Sequence, residues 1–191
     1  MLLLSSPALA LFCGFVGTMQ VFDYIFWKNQ EPNRVNYVTT KVAMIFNHLQ
    51  PFVLAFAIRA LSPDKGAFSF PSVAVLWAYA AVVVPYTVLT WRRIDHTLVR
   101  PSSYPGLKWQ WNVRPGAVVV YTIFLAALLI VALFELPRRL NLLTFTIVGI
   151  TFLVSFVLHF RGWGTVGRFW CNYGAYSTFV LAIGAELSRK A

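Results

Sequence analysis

AVVVYTIFLAALLIVALFEL, residues 117–136, is the stretch that decides the class of this 191-residue chain. Its length matches the roughly 20 apolar residues that a helix needs to cross the hydrocarbon core of a bilayer. The stretch is solidly apolar, whereas a strand of a membrane β-barrel alternates between apolar and polar residues. It therefore predicts a transmembrane helix, in which the backbone polar groups are bonded within the segment.

Five further stretches of similar length and composition accompany Ala117–Leu136. In chain order they are Leu2–Trp27, Val35–Leu61, Pro71–Trp91, Leu142–Phe160 and Phe169–Leu187. Charged residues make up only 12% of the chain, about half of the roughly 25% that is usual in soluble domains. The connections between the stretches are too short to form a soluble domain. We therefore predict an all-α fold, a single polytopic transmembrane helical bundle of about six spans over residues 1–191.

Basic residues give the chain a net charge of +10, but they lie in the connections between the apolar stretches. Lys and Arg beside transmembrane spans usually meet lipid phosphates, and Trp is enriched at the same depth. We therefore predict membrane lipids as partners, including anionic lipids of the cardiolipin type, and we exclude nucleic acid. The residues predicted to contact lipid headgroups are Arg92, Arg93, Trp109, Trp111, Arg138, Arg139, Arg161 and Trp163.

The connection 92–116 is the longest one and mixes these basic residues with Trp and Pro. Its composition predicts a segment that lies at the level of the headgroups, and a soluble substrate-binding loop is the alternative. The connections after the first, third and fifth spans hold more Lys and Arg than the connections on the other side. The positive-inside rule then places both termini on the non-cytoplasmic side, or on the non-matrix side of an organellar membrane. We predict an integral membrane location, for which an organellar inner membrane is one candidate.

The second span carries polar residues on several of its faces, which a helix surrounded by lipid would not show. This span is therefore predicted to lie inside the bundle. Asp23 in the first span and Lys41 in the second lie equally far from the turn at Pro32, so we expect them to pair in an antiparallel hairpin and to compensate each other's charge. The predicted polar intramembrane cluster consists of Gln20, Asp23, Lys41, Asn47, His48 and Gln50. It has two interpretations, a hydrogen-bonded network that holds the helices in register and a site for a ligand, ion or proton.

The chain lacks the patterns that announce common catalytic and cofactor chemistry. It contains no nucleotide-binding, metalloprotease or nucleophile-elbow motif. His48 and His159 differ in depth by roughly 12 Å at 1.5 Å per residue, so both cannot ligate one haem. Cys13 and Cys171 lie in apolar stretches and are expected to be unreactive thiols. We accordingly predict no catalytic residue, no metal site and no cofactor.

Three segments of the chain resemble an uncharacterised family of multi-pass membrane proteins from large DNA viruses and algae. The first is Gly17–Tyr24 (GTMQVFDY), which is followed by Asn33. The second is Asn47–Pro51 (NHLQP), and the third is Trp163–Cys171 (WGTVGRFWC). The resemblance implies a polytopic membrane fold and no known activity.

Three functions are compatible with these features. The first is a non-catalytic accessory or structural subunit, which packs with other membrane subunits or with copies of itself in a larger complex. The second is a small transporter or channel whose polar pathway passes Asp23, Lys41, Asn47, His48 and Gln50. The third is a membrane-embedded enzyme that acts on lipid, although no paired acid and base support it.

Overall fold

The computed structural model describes residues 7–61, 66–100, 106–161 and 170–171. Five α-helices lie in these ranges: α1 Pro7–Lys28, α2 Arg34–Leu61, α3 Phe70–Arg93, α4 Ala117–Glu135 and α5 Arg138–Phe160. Four of them, α1 to α4, are long and apolar enough to cross a membrane, and α5 contains the shorter apolar segment Thr144–Phe160. The predicted helical membrane bundle is therefore confirmed. The predicted sixth span lies almost wholly outside the described residues, so the count of six stays a prediction.

Proline and glycine set several of the helix ends. Pro71 lies in the first turn of α3, after the extended residue Ser69, where the missing N–H of proline costs no helical hydrogen bond. Pro137 separates α4 from α5. Gly116 precedes α4 with a φ of +88°, a conformation that glycine adopts without steric strain. Helices α2 to α4 begin and end within two residues of the corresponding apolar stretches, and α5 begins four residues earlier than its stretch. The predicted start of the first span, Leu2, lies outside the described residues.

Helix α2 is the centre of the bundle. It packs most extensively against α1, as the hairpin argument predicts, and it also contacts α4 and α3. Over the most apolar window of each helix, 56% of α2 is buried, against 28% of α1 and 17% of α3. The prediction that the second span lies inside the bundle is therefore confirmed. Exposing the polar side chains of α2 to lipid would cost more free energy than burying them, because lipid offers them no hydrogen bond.

The described parts of the connection between α3 and α4, residues 94–100 and 106–116, fold back into the end of the bundle, and we call them the re-entrant connection. It contains two paired strands of two residues each, β1 Val99–Arg100 and β2 Gly106–Leu107, and a short 3₁₀ helix, Gln110–Asn112. The side chains of Trp109 and Trp111 are 0% exposed. The prediction that these two residues contact lipid headgroups was therefore wrong. Their rings stack with centroids 4.9 Å apart and fill the space between the helices.

Candidate functional site

Asn47 is the hub of a polar network in the middle of the bundle. Its side chain is buried, and its Oδ1 accepts hydrogen bonds from the Tyr121 hydroxyl and, at 3.3 Å, from Nε1 of Trp111. Its Nδ2 donates to Sγ of Cys171 at 3.6 Å. One amide therefore joins α2 to α4, to the re-entrant connection and to the segment 170–171. Each of these groups would be costly to bury alone, since hydrocarbon offers no alternative partner.

Gln50 extends the network by one helical turn. Its side chain is fully buried, and Nε2 donates to Sγ of Cys171 at 3.6 Å. Its Oε1 has no hydrogen-bond partner among the described residues. The Cys171 thiol thus accepts from two amides in a buried position, which fits the predicted unreactive thiol. Cys13 and Cys171 form no disulfide within the described chain.

His48 points away from this network and links α2 to α3. Its Nδ1 lies 2.7 Å from Oγ1 of Thr87, and its backbone carbonyl accepts a hydrogen bond of 2.9 Å from the Tyr79 hydroxyl. The imidazole lies edge-on to the ring of Tyr86, with centroids 5.8 Å apart. Its Nε2 is buried and has no partner among the described residues. Asn47 and His48 are neighbours in sequence but serve two different sides of α2.

The predicted pairing of Asp23 with Lys41 is replaced by two separate sets of contacts. Oδ1 of Asp23 accepts a hydrogen bond of 2.9 Å from Nε1 of Trp109. The Lys41 ammonium lies 4.3 Å from the ring centroid of Tyr37 and 4.7 Å from that of Trp91. Equal depth in a hairpin does not fix this pairing, because the re-entrant connection brings Trp109 to Asp23. The rotation of α2 about its axis turns Lys41 toward Trp91 of α3.

The remaining member of the predicted cluster is Gln20, which lies on α1. Its Nε2 is buried and has no hydrogen-bond partner among the described residues. The structure therefore distributes the predicted cluster over distinct environments. Asn47 and Gln50 share one network, Asp23 is tied to the re-entrant connection, and His48 and Lys41 face α3.

Sequence analysis missed the residue that anchors the re-entrant connection, Asn36. Its Oδ1 accepts from the backbone N–H of Thr97 at 2.8 Å, and its Nδ2 donates to the backbone carbonyls of Thr97 at 2.8 Å and Asn29 at 2.7 Å. The Thr40 hydroxyl, one turn further along α2, lies 3.1 Å from the Thr97 hydroxyl. This amide pairs with Thr97 as a neighbouring strand would. The sequence shows only an Asn in the first turn of a span, a position that usually faces water, and its complete burial is seen only in the structure.

A second residue that sequence analysis missed is Glu135, at the opposite end of the bundle. It is buried at the end of α4 and accepts hydrogen bonds from the backbone N–H of Ser69 at 3.0 Å and from its hydroxyl at 2.6 Å. Ser69 immediately precedes α3. A carboxylate at a helix N-terminus satisfies an unbonded N–H and complements the helix dipole. The signal was an acidic residue within the most apolar stretch of the chain.

The predicted headgroup contacts other than the two buried tryptophans stay predictions. Arg92, Arg93, Arg138 and Arg161 are exposed at the ends of α3 and α5. The side chain of Arg139 and the whole of Trp163 lie outside the described part of the structure. Within the described residues, no group of three or more His, Cys, Asp and Glu side chains could hold a metal ion.

The chemistry of the central site is that of neutral donors and acceptors. Amides, a thiol, a phenol and an indole meet around Asn47, and each bond joins two different elements of the fold. Such a network fixes helix register, because a rotated or shifted helix would leave buried polar groups without partners. No family model, no curated protein and no solved structure matches the chain. The resemblance to viral and algal membrane proteins therefore stays a prediction.

Proposed function

We propose that this chain is a non-catalytic membrane subunit that packs within a larger membrane assembly. The observation that supports the proposal most is the commitment of Asn47 to partners within the chain. Its carbonyl oxygen accepts hydrogen bonds from Tyr121 and Trp111, and its amide nitrogen donates one to Cys171. A residue that recognises a transported solute needs at least one polar atom free for it. Asn47 instead works as a joint between helices.

The surface of α3 supports the same proposal. Only 17% of its most apolar window is buried, and Phe70 and Trp77 are 83% and 73% exposed. These large side chains give α3 a broad apolar face for lipid or for a helix of another subunit. Dispersion contacts between well-shaped surfaces hold membrane helices together. In this proposal, α3 carries the contact with the partner subunit, while six spans and a basic, lipid-facing rim keep the chain in an organellar or other inner membrane.

The test is mild extraction of the tagged chain from its native membrane, followed by native electrophoresis and identification of co-migrating proteins. We expect the chain to migrate with other membrane subunits. Trp77→Ala should reduce this association, because it removes a large exposed ring from α3. Phe134→Ala is the matched control, since Phe134 is also exposed, at 51%, but lies on α4. A chain that migrates alone, or equal effects of the two substitutions, would contradict the proposal.

A small transporter or channel is the second candidate, and the polar atoms without partners favour it. Nε2 of Gln20, Nε2 of His48 and Oε1 of Gln50 are buried without partners in the described part of the chain. Buried polar groups usually bond to protein or to ordered water, so these atoms would suit a hydrated path. Purified chain in sealed liposomes should then pass ions or protons, and Gln50→Leu should abolish the flux without unfolding the protein. Liposomes that stay tight with the wild-type chain would exclude this candidate.

A further inference from the structure

Helices α2 and α3 leave an apolar crevice between them. Its upper part is a cavity of about 200 Å³ whose lining includes Ile45, Leu49, Val84 and Val88. Leu49, Val84 and Val88 are 41%, 57% and 50% exposed, so the crevice opens sideways to the lipid. A second apolar cavity, of about 250 Å³, continues it, and Phe52 lines both. The crevice exists because α2 and α3 contact each other less than either contacts its other neighbour.

A positive charge lies at the mouth of this crevice. Lys41, Ile45 and Leu49 follow one another every four residues and therefore share one side of α2. The Lys41 ammonium is held 4.7 Å from the ring centroid of Trp91, which lies less than one turn beyond Val88 on α3. No carboxylate in the described part of the chain pairs with Lys41, whose contacts there are with aromatic rings. The mouth therefore combines an indole with a cation that no carboxylate of the described residues neutralises, a combination that suits the headgroup region.

We propose that this crevice binds one anionic phospholipid, with its phosphate on Lys41 and one acyl chain between Leu49 and Val88. The depth of the crevice matches this ligand. Lys41 and Phe52 are separated by about 16 Å at 1.5 Å per residue of helix, and half of a hydrocarbon core is about 15 Å. The upper cavity thus accommodates a chain from one leaflet. The charge of Lys41 selects the headgroup, and the apolar walls of the crevice hold the acyl chain. This proposal holds for a subunit and for a transporter alike.

Lipid binding to the purified full-length chain, measured by native mass spectrometry, tests the charge at the mouth. Phosphatidylglycerol and phosphatidylcholine with identical acyl chains are the two probes. We expect the anionic lipid to bind about fivefold more tightly, the effect of one Lys near an anionic headgroup. Lys41→Gln should remove this preference, and Lys41→Arg should keep it. Lys28→Gln is the matched control, because Lys28 also lies beside one tyrosine ring, at 5.8 Å from Tyr24, but away from the crevice.

A second pair of variants tests the apolar wall. Val88→Trp should fill the crevice and weaken the binding of both lipids about tenfold, because it blocks the chain that they share. Val118→Trp makes the same change at a valine of α4 that is 56% exposed and lies outside the crevice, and it should leave binding unchanged. Both valines face outward, so both variants should fold with the thermal stability of the wild type.

Three results would overturn the proposal. An equal loss of preference in Lys28→Gln and Lys41→Gln would mean diffuse attraction to a basic surface. Wild-type binding by Val88→Trp would mean that no acyl chain occupies the crevice, and equal weakening by Val118→Trp would mean unspecific partition. If Lys41→Gln fails to fold, Lys41→Arg and the two valine variants still decide the question.

Discussion

The two sides of helix α2 differ in how their side chains are packed. Toward α4 and the re-entrant connection, Asn47 and Gln50 are buried and bonded to other elements of the protein. Toward α3, Ile45 and Leu49 line a crevice that is open to lipid, and Lys41 lies one turn before Ile45. Asn47 and Gln50 lie near the middle of the helix and are 1% and 0% exposed. On the open side, His48 is bonded to Thr87, and Lys41 lies nearer the helix start, where a lysine can extend to the membrane surface.

This difference shows where the bundle gains its specificity. Apolar packing alone distinguishes poorly between neighbouring arrangements of membrane helices, since lipid tails resemble apolar side chains. In the structure, the Tyr121 hydroxyl, the Trp111 N–H and the Asn47 amide N–H each have an acceptor. The closed side therefore determines the register of α2, and the open side leaves room for a lipid. Substitutions on the two sides should have correspondingly different effects.

The largest effect is expected for Asn47→Leu, which breaks the closed side. The Tyr121 hydroxyl and the Trp111 N–H both lose their acceptor, and a buried donor without a partner costs about 1–3 kcal/mol. We expect the free energy of unfolding in mild detergent to fall by about 3 kcal/mol. Asn141→Leu is the control, since the Asn141 amide donates to a carbonyl at an exposed position. Equal losses in the two variants would show that Asn47 is no hub.

Leu54→Ala and Leu49→Ala compare the two sides directly with one chemical change. Leu54 is 1% exposed and Leu49 is 41% exposed on the same helix. The first variant should lower the stability of the bundle by about 2–3 kcal/mol, because it leaves a cavity. The second should change it by less than about 0.5 kcal/mol, because lipid can fill the space. Thermal unfolding in one detergent measures both, and an equal cost would refute the distinction between the sides.

Trp109→Phe should have an intermediate effect on the closed side. It keeps the aromatic ring but removes the N–H that donates to Asp23. A hydrogen bond to a charged group contributes about 1.5–3 kcal/mol, and we expect a loss near the lower value, about 1.5 kcal/mol, because phenylalanine preserves part of the packing. The loss should shrink in an Asp23→Leu background, as a double-mutant cycle requires. If the losses of stability from the two substitutions are fully additive, Trp109 and Asp23 do not interact energetically.

A smaller loss of stability than that of Trp109→Phe is expected at His48, which faces α3. His48→Gln should be tolerated, because an amide also offers a donor and an acceptor to Thr87. His48→Leu should cost about 1 kcal/mol, since the Thr87 hydroxyl loses its partner at Nδ1. Stability and proton flux in liposomes should be measured together. Loss of a flux in His48→Gln at unchanged stability would favour the transporter over the subunit.

Much of the fold was predictable from the sequence because lipid permits only a few kinds of backbone structure. The start of α4 after Gly116, its end before Pro137 and the central position of α2 follow from apolar length, helix breakers and polar composition. The backbone of a membrane span must bond within itself, which leaves helices and closed barrels as the only choices. The polar residues of the second span were also recognised as interior, since exposure to lipid would be costly.

The partners of these residues were not predictable. Trp109 and Trp111 have an apolar body and one polar N–H, a combination that suits a headgroup belt and a protein interior equally well. Asn36 forms hydrogen bonds with Thr97, 61 positions away, and the local sequence around either residue does not predict the other as its partner. Such pairs arise only when the re-entrant connection has folded onto the helices.

The sequence by itself thus determined the approximate extent of the described helices, the apolar surroundings of the bundle and the helix that lies at its centre. These properties depend on length, composition and local backbone preference, which are local quantities. Only the tertiary structure decided that Asp23 meets Trp109, that Lys41 faces α3 and that a crevice opens below it. The physical reason is that the rotation of each helix about its axis, and the path of the re-entrant connection, result from the packing of all elements at once.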